Sequence, residues 1–188
     1  MGIRAAFELQ LSKSDPRDGF DDLIWQSLSA AAGSSKHPWN LGAISTVNCR
    51  DELAPTPASR MVVLRSADPQ RRFLDFHTDA RSNKLDELHS HDAAKPLAWL
   101  FWESSTKIQL RMRGTASIID GDEADQAWQQ ASLRSRSAYL SLAPPGVATD
   151  AAQPPDTSDR EVSMEESERA RENFRIIRTT ILSVDWLY

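Results

Sequence analysis

Apolar positions recur at helical spacing over residues 19–33, where Phe20, Leu23, Ile24, Leu28 and Ala31 fall on one face behind the candidate caps Asp15 and Asp18. Gly33 closes the run, and the spacing predicts an amphipathic helix. Leu41–Asn48 and Ser59–Arg65 are apolar, β-branched stretches joined by CRDELAPTPA, whose prolines and acidic pair mark a turn, so together they read as a hairpin. Phe73–Thr78 follows the turn signal ADPQ and predicts a third strand, and Ser82–Ser90 a short helix with Leu85 and Leu88 on one side. Leu97–Glu103 and Lys107–Ile119 predict two more strands. In the second, Ile108, Leu110 and Met112 alternate with Gln109, Arg111 and Arg113, giving one oily face and one face that meets solvent or a polar site.

Asp122–Leu133 again has helical periodicity, with Ala124, Ala127, Trp128 and Ala131 inward. Residues 141–160 carry Pro144, Pro145, Pro154 and Pro155 and almost no large apolar side chain, which predicts a mobile loop. Too little chain follows it for a second domain, so residues 1–188 read as one domain. Ser163 with Glu166 fits a capping box for a helix through Glu172, and Phe174–Leu182 reads as the last strand. The connections between strands are mostly too short for parallel crossovers. The expected fold is mainly antiparallel β, a sheet closed into a barrel with flanking helices.

Composition narrows the function classes. A chain of 188 residues with 40% hydrophobic residues can bury its own core, and a single cysteine, Cys49, allows neither a disulfide framework nor a cysteine-rich zinc site. A reducing, cytoplasmic setting is expected. The longest apolar run, Leu97–Trp102, is far below the roughly 20 residues that span a bilayer, so no membrane association is expected. The net charge of −5 disfavours nucleic acid as a partner. The middle of the chain differs from the whole: residues 60–113 hold ten basic against seven acidic groups, a local +3, and most of those cations are Arg, whose planar fork suits phosphate and carboxylate. A small anionic ligand is the sharper expectation.

Three polar clusters lie in that segment. Arg60-Met61-Val62-Val63-Leu64-Arg65 is a strand bounded by Arg. Phe76-His77-Thr78-Asp79-Ala80-Arg81-Ser82-Asn83-Lys84 passes from a strand into a helix start, where free backbone N–H groups and cations favour a phosphate. Lys107-Ile108-Gln109-Leu110-Arg111-Met112-Arg113-Gly114 supplies the polar strand face. Together they read as a phosphate cradle beside a polar wall.

The ordered set R-x-V-V-L-R, F-H-T-x-x-x-S-x-K, F-W and x-Q-x-R-x-x-G resembles the pyridoxamine 5'-phosphate oxidase-like flavoproteins, over roughly residues 20–140 with an echo at 172–187. The subgroup with a shortened, proline-rich segment before the last strand is the nearest. The resemblance implies an FMN-binding split β-barrel that works as a homodimer with flavin at the subunit interface. It implies that Arg60 and Lys84 hold the FMN phosphate with Ser82, that Met61, Val62 and Val63 run beside the flavin, and that His77 and Thr78 match the family's Tyr-Thr pair. Gln109 matches the glutamine that bonds the isoalloxazine ring, and Trp186 the Trp that packs near it. Asn83 stands where the family usually has Arg, with Arg81 the expected compensation. Arg65 replaces a Lys that helps bind the phosphate of the vitamin B6 substrate, so it counts as both a cofactor and a substrate candidate. Trp128 stands for the substrate Tyr, and Arg134 and Arg136 keep only part of an R-P-R-x-S segment.

The remaining chemistry-bearing residues have plainer readings. His77 reads as a packing or hydrogen-bonding group rather than an acid or base. His89 and His91, two residues apart on a helix, point about 200° from each other, so no metal site is expected. Trp99 and Trp102 read as core, and Cys49 as an uninvolved turn thiol. No residue is expected to act as a nucleophile. The expected activity is flavin-dependent oxidation or reduction of a small molecule; a flavin-binding carrier or sensor without turnover is the alternative, favoured by the incomplete substrate motif.

Overall fold

A computed structural model describes residues 19–48, 54–89, 95–146 and 162–187. Helix α1 (Phe20–Ala32) starts after Gly19, whose φ of 81° suits glycine, and turns Phe20, Ile24, Trp25, Leu28 and Ala31 onto the protein interior. Strands β1 (Leu41–Asn48) and β2 (Thr56–Asp68) form the expected hairpin, with Leu41 opposite Val63 and Asn48 opposite Thr56. Strand β3 (Phe73–Asp79) pairs with β2, and helix α2 (Asn83–His89) follows it. Strands β4 (Pro96–Glu103), β5 (Ile108–Ile119) and β6 (Phe174–Leu187) complete the sheet. All pairings are antiparallel, in the order β1-β2-β3-β6-β5-β4, and the sheet closes where Ala43 of β1 meets Leu100 of β4. The barrel expected from the short connections is therefore what the chain forms.

Its interior is the inward-facing half of each alternation: Ile44, Leu64, Phe76, Trp99, Phe101 and Leu110 are fully or almost fully buried. Each such side chain contributes roughly 1.5–3 kcal/mol. A second, smaller core of Ala124, Trp128, Ala170, Phe174 and Ile176 lies outside the barrel against β6. It fixes helices α3 (Asp122–Gln130), α4 (Leu133–Ser137) and α5 (Met164–Glu168) to that wall.

Four expectations need correction. Trp102 is not core; with Leu97, Trp99 and Phe101 inward, the two-residue period turns it outward, and it is 50% exposed. The last strand does not stop at Leu182 but runs to Leu187, because β5 offers a partner along its whole length, with Gln109 opposite Leu187. The helix expected to reach Leu133 ends at Gln130, where Ala131 turns extended and Ser132 caps a separate α4 by accepting from Ser135 N–H at 3.2 Å. Ser163 caps α5 as expected, accepting from Glu166 N–H at 3.1 Å, but α5 ends at Glu168 and a 3₁₀ turn, Arg171–Asn173, leads into β6. From residue 147 on, the proline-rich loop lies outside the described residues, as do Asp15, Asp18, Cys49 and His91. Among the described residues, no helix is long and apolar enough to cross a membrane.

Candidate functional site

Thr46 is a polar residue at an inward position of β1, after Gly42 and Ile44, and it marks where the barrel end stops being apolar. Arg60 of β2 reaches it: Nη1 donates to Thr46 Oγ1 at 2.5 Å and to the Ala58 carbonyl at 3.3 Å, and Nη2 donates to Glu87 Oε2 at 2.5 Å. Thr46 Oγ1 in turn donates to the same Glu87 oxygen. Beside this triangle, Lys84 Nζ of α2 donates to Thr78 Oγ1 at 2.8 Å and to Ser82 Oγ at 2.9 Å. Burial lowers the Lys84 pKa, and the positive charge of Arg60 lowers it further, against the opposing pull of Asp79 and Glu87. Two cations and three hydroxyls thus gather at one end of the barrel. A guanidinium has five N–H donors and an ammonium three, so both groups keep donors not spent on described residues.

Arg81 does not join them. Its guanidinium folds back on Asp79 at 3.0 and 2.7 Å and donates to the Ser141 carbonyl at 3.0 Å, so the expected compensation for Asn83 is absent. Asn83 is exposed on the first turn of α2, a seven-residue helix, so side chains rather than a long helix dipole carry the positive field here.

Adjacent residues on a strand point to opposite faces, and β3 uses this: Thr78 turns to the cation cluster and His77 to the outside of the barrel. There, between β2, β3, β6 and the α3–α4 connection, lies a cavity of about 610 Å³, lined among others by Arg65, His77, Ser132, Ser135 and Gln130. Its floor is a charge network in which Arg178 grips both oxygens of Asp75 at 3.0 and 2.8 Å, meets Glu123, and lies 3.8 Å over the Phe73 ring. These contacts hold the Arg178 pKa above its usual value. His77 sits edge-on to Phe174 at 4.7 Å; burial, helped by the charge of Arg65, lowers its pKa to about 4, so the ring is neutral at physiological pH. Arg65 itself makes no hydrogen bond or ion pair with any described residue.

The other candidates divide by face. Met61 and Val63 point outward on β2, opposite Ala43 and Leu41, while Val62 turns inward against the barrel core. Gln109 lies on the outer wall between Trp102 of β4 and Leu187 of β6. Trp186 stacks on Phe20 of α1 at 4.5 Å. Trp128 and Arg136 do not line the cavity: Arg136 is 1% exposed, lies 5.0 Å from the Trp128 ring, and pairs with Glu168, which also accepts from Trp128 Nε1 at 3.1 Å. Arg134 is exposed on α4, outside the cavity lining. Sequence reasoning missed Thr46, Glu87, Asp75 and Arg178. A threonine among the inward positions of β1 was the one readable signal for the first pair.

Residues 20–120 match the family model of the pyridoxamine 5'-phosphate oxidase FMN-binding domain. The chain belongs to that family. The chain is 34% identical over 96 residues to pyridoxine/pyridoxamine 5'-phosphate oxidase 2 of Arabidopsis thaliana, covering 47% of each protein. It is 35% identical over 109 residues to the pyridoxine/pyridoxamine 5'-phosphate oxidase of Roseobacter denitrificans, covering 58% of this chain and 50% of that one. It thus spans about half the length of the curated relatives it matches. The fold is similar to that of a pyridoxamine 5'-phosphate oxidase-related, FMN-binding protein from Nostoc punctiforme, with a TM-score of 0.61 at 22% identity over 88% of this chain and 82% of that one. As a member of the family, the protein takes FMN as its cofactor.

The donor set fits that cofactor. A phosphate monoester needs several donors and positive charge in a partly dry site, and Arg60, Lys84, Ser82 and Thr78 provide both. The two cations are only partly exposed, which strengthens their pull on an anion.

Proposed function

We propose that the protein is an FMN-dependent oxidoreductase acting on a small anionic molecule, and that it works as a homodimer. The observation that carries the reading is the arrangement of two sites on two shared strands. Arg60 and Thr78 belong to the cation cluster, and Arg65 and His77 to the cavity. Arg60 and Arg65 lie five positions apart along β2, about 16 Å. FMN supplies hydride transfer when bound. Arg60 and Lys84 bind its phosphate; Met61, Val62 and Val63 run beside the ring, and Gln109 hydrogen-bonds it. Arg65 holds the substrate's negative charge, its guanidinium being free of any described acidic partner. His77, neutral and fixed against Phe174, offers a hydrogen bond rather than a charge. Trp128, Arg136 and the exposed Arg134 have no part in substrate binding in this reading.

The dimer rests on the outer wall formed by β2, β1, β4, β5 and the end of β6. Leu41, Met61, Leu100, Trp102 and Leu187 are all exposed there, Met61 by 62%, and the rows run from Met61 through Ala43 and Leu100. An apolar strip of this kind marks a contact surface. Gln109 lies within it, so pairing two copies through this wall puts the ring contact at the subunit boundary.

Anaerobic mixing of FMN-loaded protein with a panel of small anions, followed by the flavin's visible band, tests the activity. The reading expects bleaching by at least one anion, recovery with an electron acceptor, and loss of the reaction in Arg65→Met with FMN retained. A flavin that no compound reduces would contradict turnover and favour the second reading, a flavin carrier or sensor. The burial of Trp128 and Arg136, neither of which lines the cavity, is the observation on that side.

A further inference from the structure

Glu87 is an unusual acid for its place. It stands one turn after Lys84 on α2, where spacing alone reads as a surface helix pair, yet it is only 5% exposed and turns towards β1 and β2. One of its oxygens, Oε2, accepts from both Arg60 Nη2 and Thr46 Oγ1, while Thr46 Oγ1 also accepts from Arg60 Nη1. The triangle fixes the guanidinium plane from two edges. A carboxylate in a phosphate site repels the ligand, so its burial here calls for a reason.

We propose that Glu87 is a positioning residue for the FMN phosphate: clamped to Thr46, it holds the Arg60 guanidinium beside the Lys84 ammonium with donors to spare, and its charge lets the two cations coexist without ligand. The inference rests on Arg60 and Lys84 being the phosphate anchor.

The electrostatics follow from the neighbours. The charged groups acting on Lys84 are Arg60 from β2, Asp79 from the end of β3, and Glu87 from α2. Asp79 is already gripped by Arg81, which leaves Glu87 as the acid that balances Arg60 and Lys84. Without its charge, burial and Arg60 act on Lys84 with less opposition, and the ammonium gives up its proton at lower pH. A phosphate arriving at such a site must first recover that proton. Affinity then falls as the pH rises, in a way that the geometry alone would not produce.

Flavin-stripped full-length wild type, Glu87→Ala and Glu87→Gln, titrated with FMN and with riboflavin at neutral and alkaline pH by flavin fluorescence, test this. Riboflavin lacks the phosphate and reports the ring site alone. Glu87→Ala is expected to lose about tenfold or more in FMN affinity, the scale of one hydrogen bond to a charged group, with riboflavin nearly unchanged. Glu87→Gln keeps an acceptor for Arg60 and Thr46, so it recovers most of the FMN affinity at neutral pH but falls behind wild type at alkaline pH. If Glu87→Ala does not fold, the pH-dependent gap of Glu87→Gln carries the test. Equal losses for FMN and riboflavin, or a Glu87→Gln that tracks wild type at both pH values, would overturn the role of Glu87. A wild type that binds FMN no tighter than riboflavin would instead overturn the anchor itself.

Discussion

His77 illustrates how a single side chain acquires its chemistry from packing. Its ring is closed in by Phe174 and faces the charge of Arg65, and both effects disfavour the protonated form. Because its folded pKa, about 4, lies below the ordinary 6.5, the unfolded chain binds a proton in that window and the folded one does not. Stability therefore falls as the pH drops from about 6.5 towards 4, by up to about 3 kcal/mol from this group. Urea denaturation across that range should show the slope in wild type and lose this part of it in His77→Gln; an identical slope in both would contradict it. The residue types at the anchor were legible in the sequence because Arg60, Thr78, Ser82 and Lys84 come in ordered motifs. Glu87 was not, and Thr46 showed only as a polar inward position of β1, since the two join Arg60 through pairings 27 and 14 residues apart. Trp128 and Arg136 show the converse: helical spacing marked Trp128 as inward, but nothing in the sequence tells the floor of a cavity from a second core.

At the scale of elements, apolar and β-branched runs between turn signals located the described strands, and helical spacing the longer helices, while their ends were set by partners distant in sequence. Strand β6 runs past Leu182 because β5 continues beside it, and Asp185 is held there by Arg111. Gly114 marks the register shift between those two strands. A Cβ at that position would lie 2.0 Å from the Thr180 carbonyl oxygen, a clash with backbone that no side-chain movement relieves. Gly114→Ala should therefore cost about 1–3 kcal/mol or more. A clear drop in Tm is expected by calorimetry, and an unchanged Tm would contradict the close approach of β5 and β6. The tryptophans of β4 teach the same lesson: in the wholly apolar run Leu97–Trp102, composition hides the alternation that buries Trp99 and exposes Trp102.

For the whole molecule, the barrel has two dissimilar sides. The β2–β3–β6 wall is covered by α3 and α4 and holds the cavity, whereas the β1–β4–β5 wall leaves Leu41, Leu100 and Trp102 uncovered. If that wall joins two copies, Met61→Glu combined with Trp102→Glu should convert a dimer to a monomer by light scattering; a wild-type monomer, or a double variant that stays dimeric, would contradict this. The basic middle of an acidic chain also takes its meaning at this scale, because the fold brings Arg60 and Lys84 of that segment to one end of the barrel. The most direct test of the account is the dissociation constant of FMN, with riboflavin alongside, for wild type and Arg60→Ala. Wild type is expected to prefer FMN, Arg60→Ala to weaken FMN binding by about 1.5–3 kcal/mol, and riboflavin binding hardly to change. An FMN dissociation constant unaffected by the loss of Arg60 would contradict it.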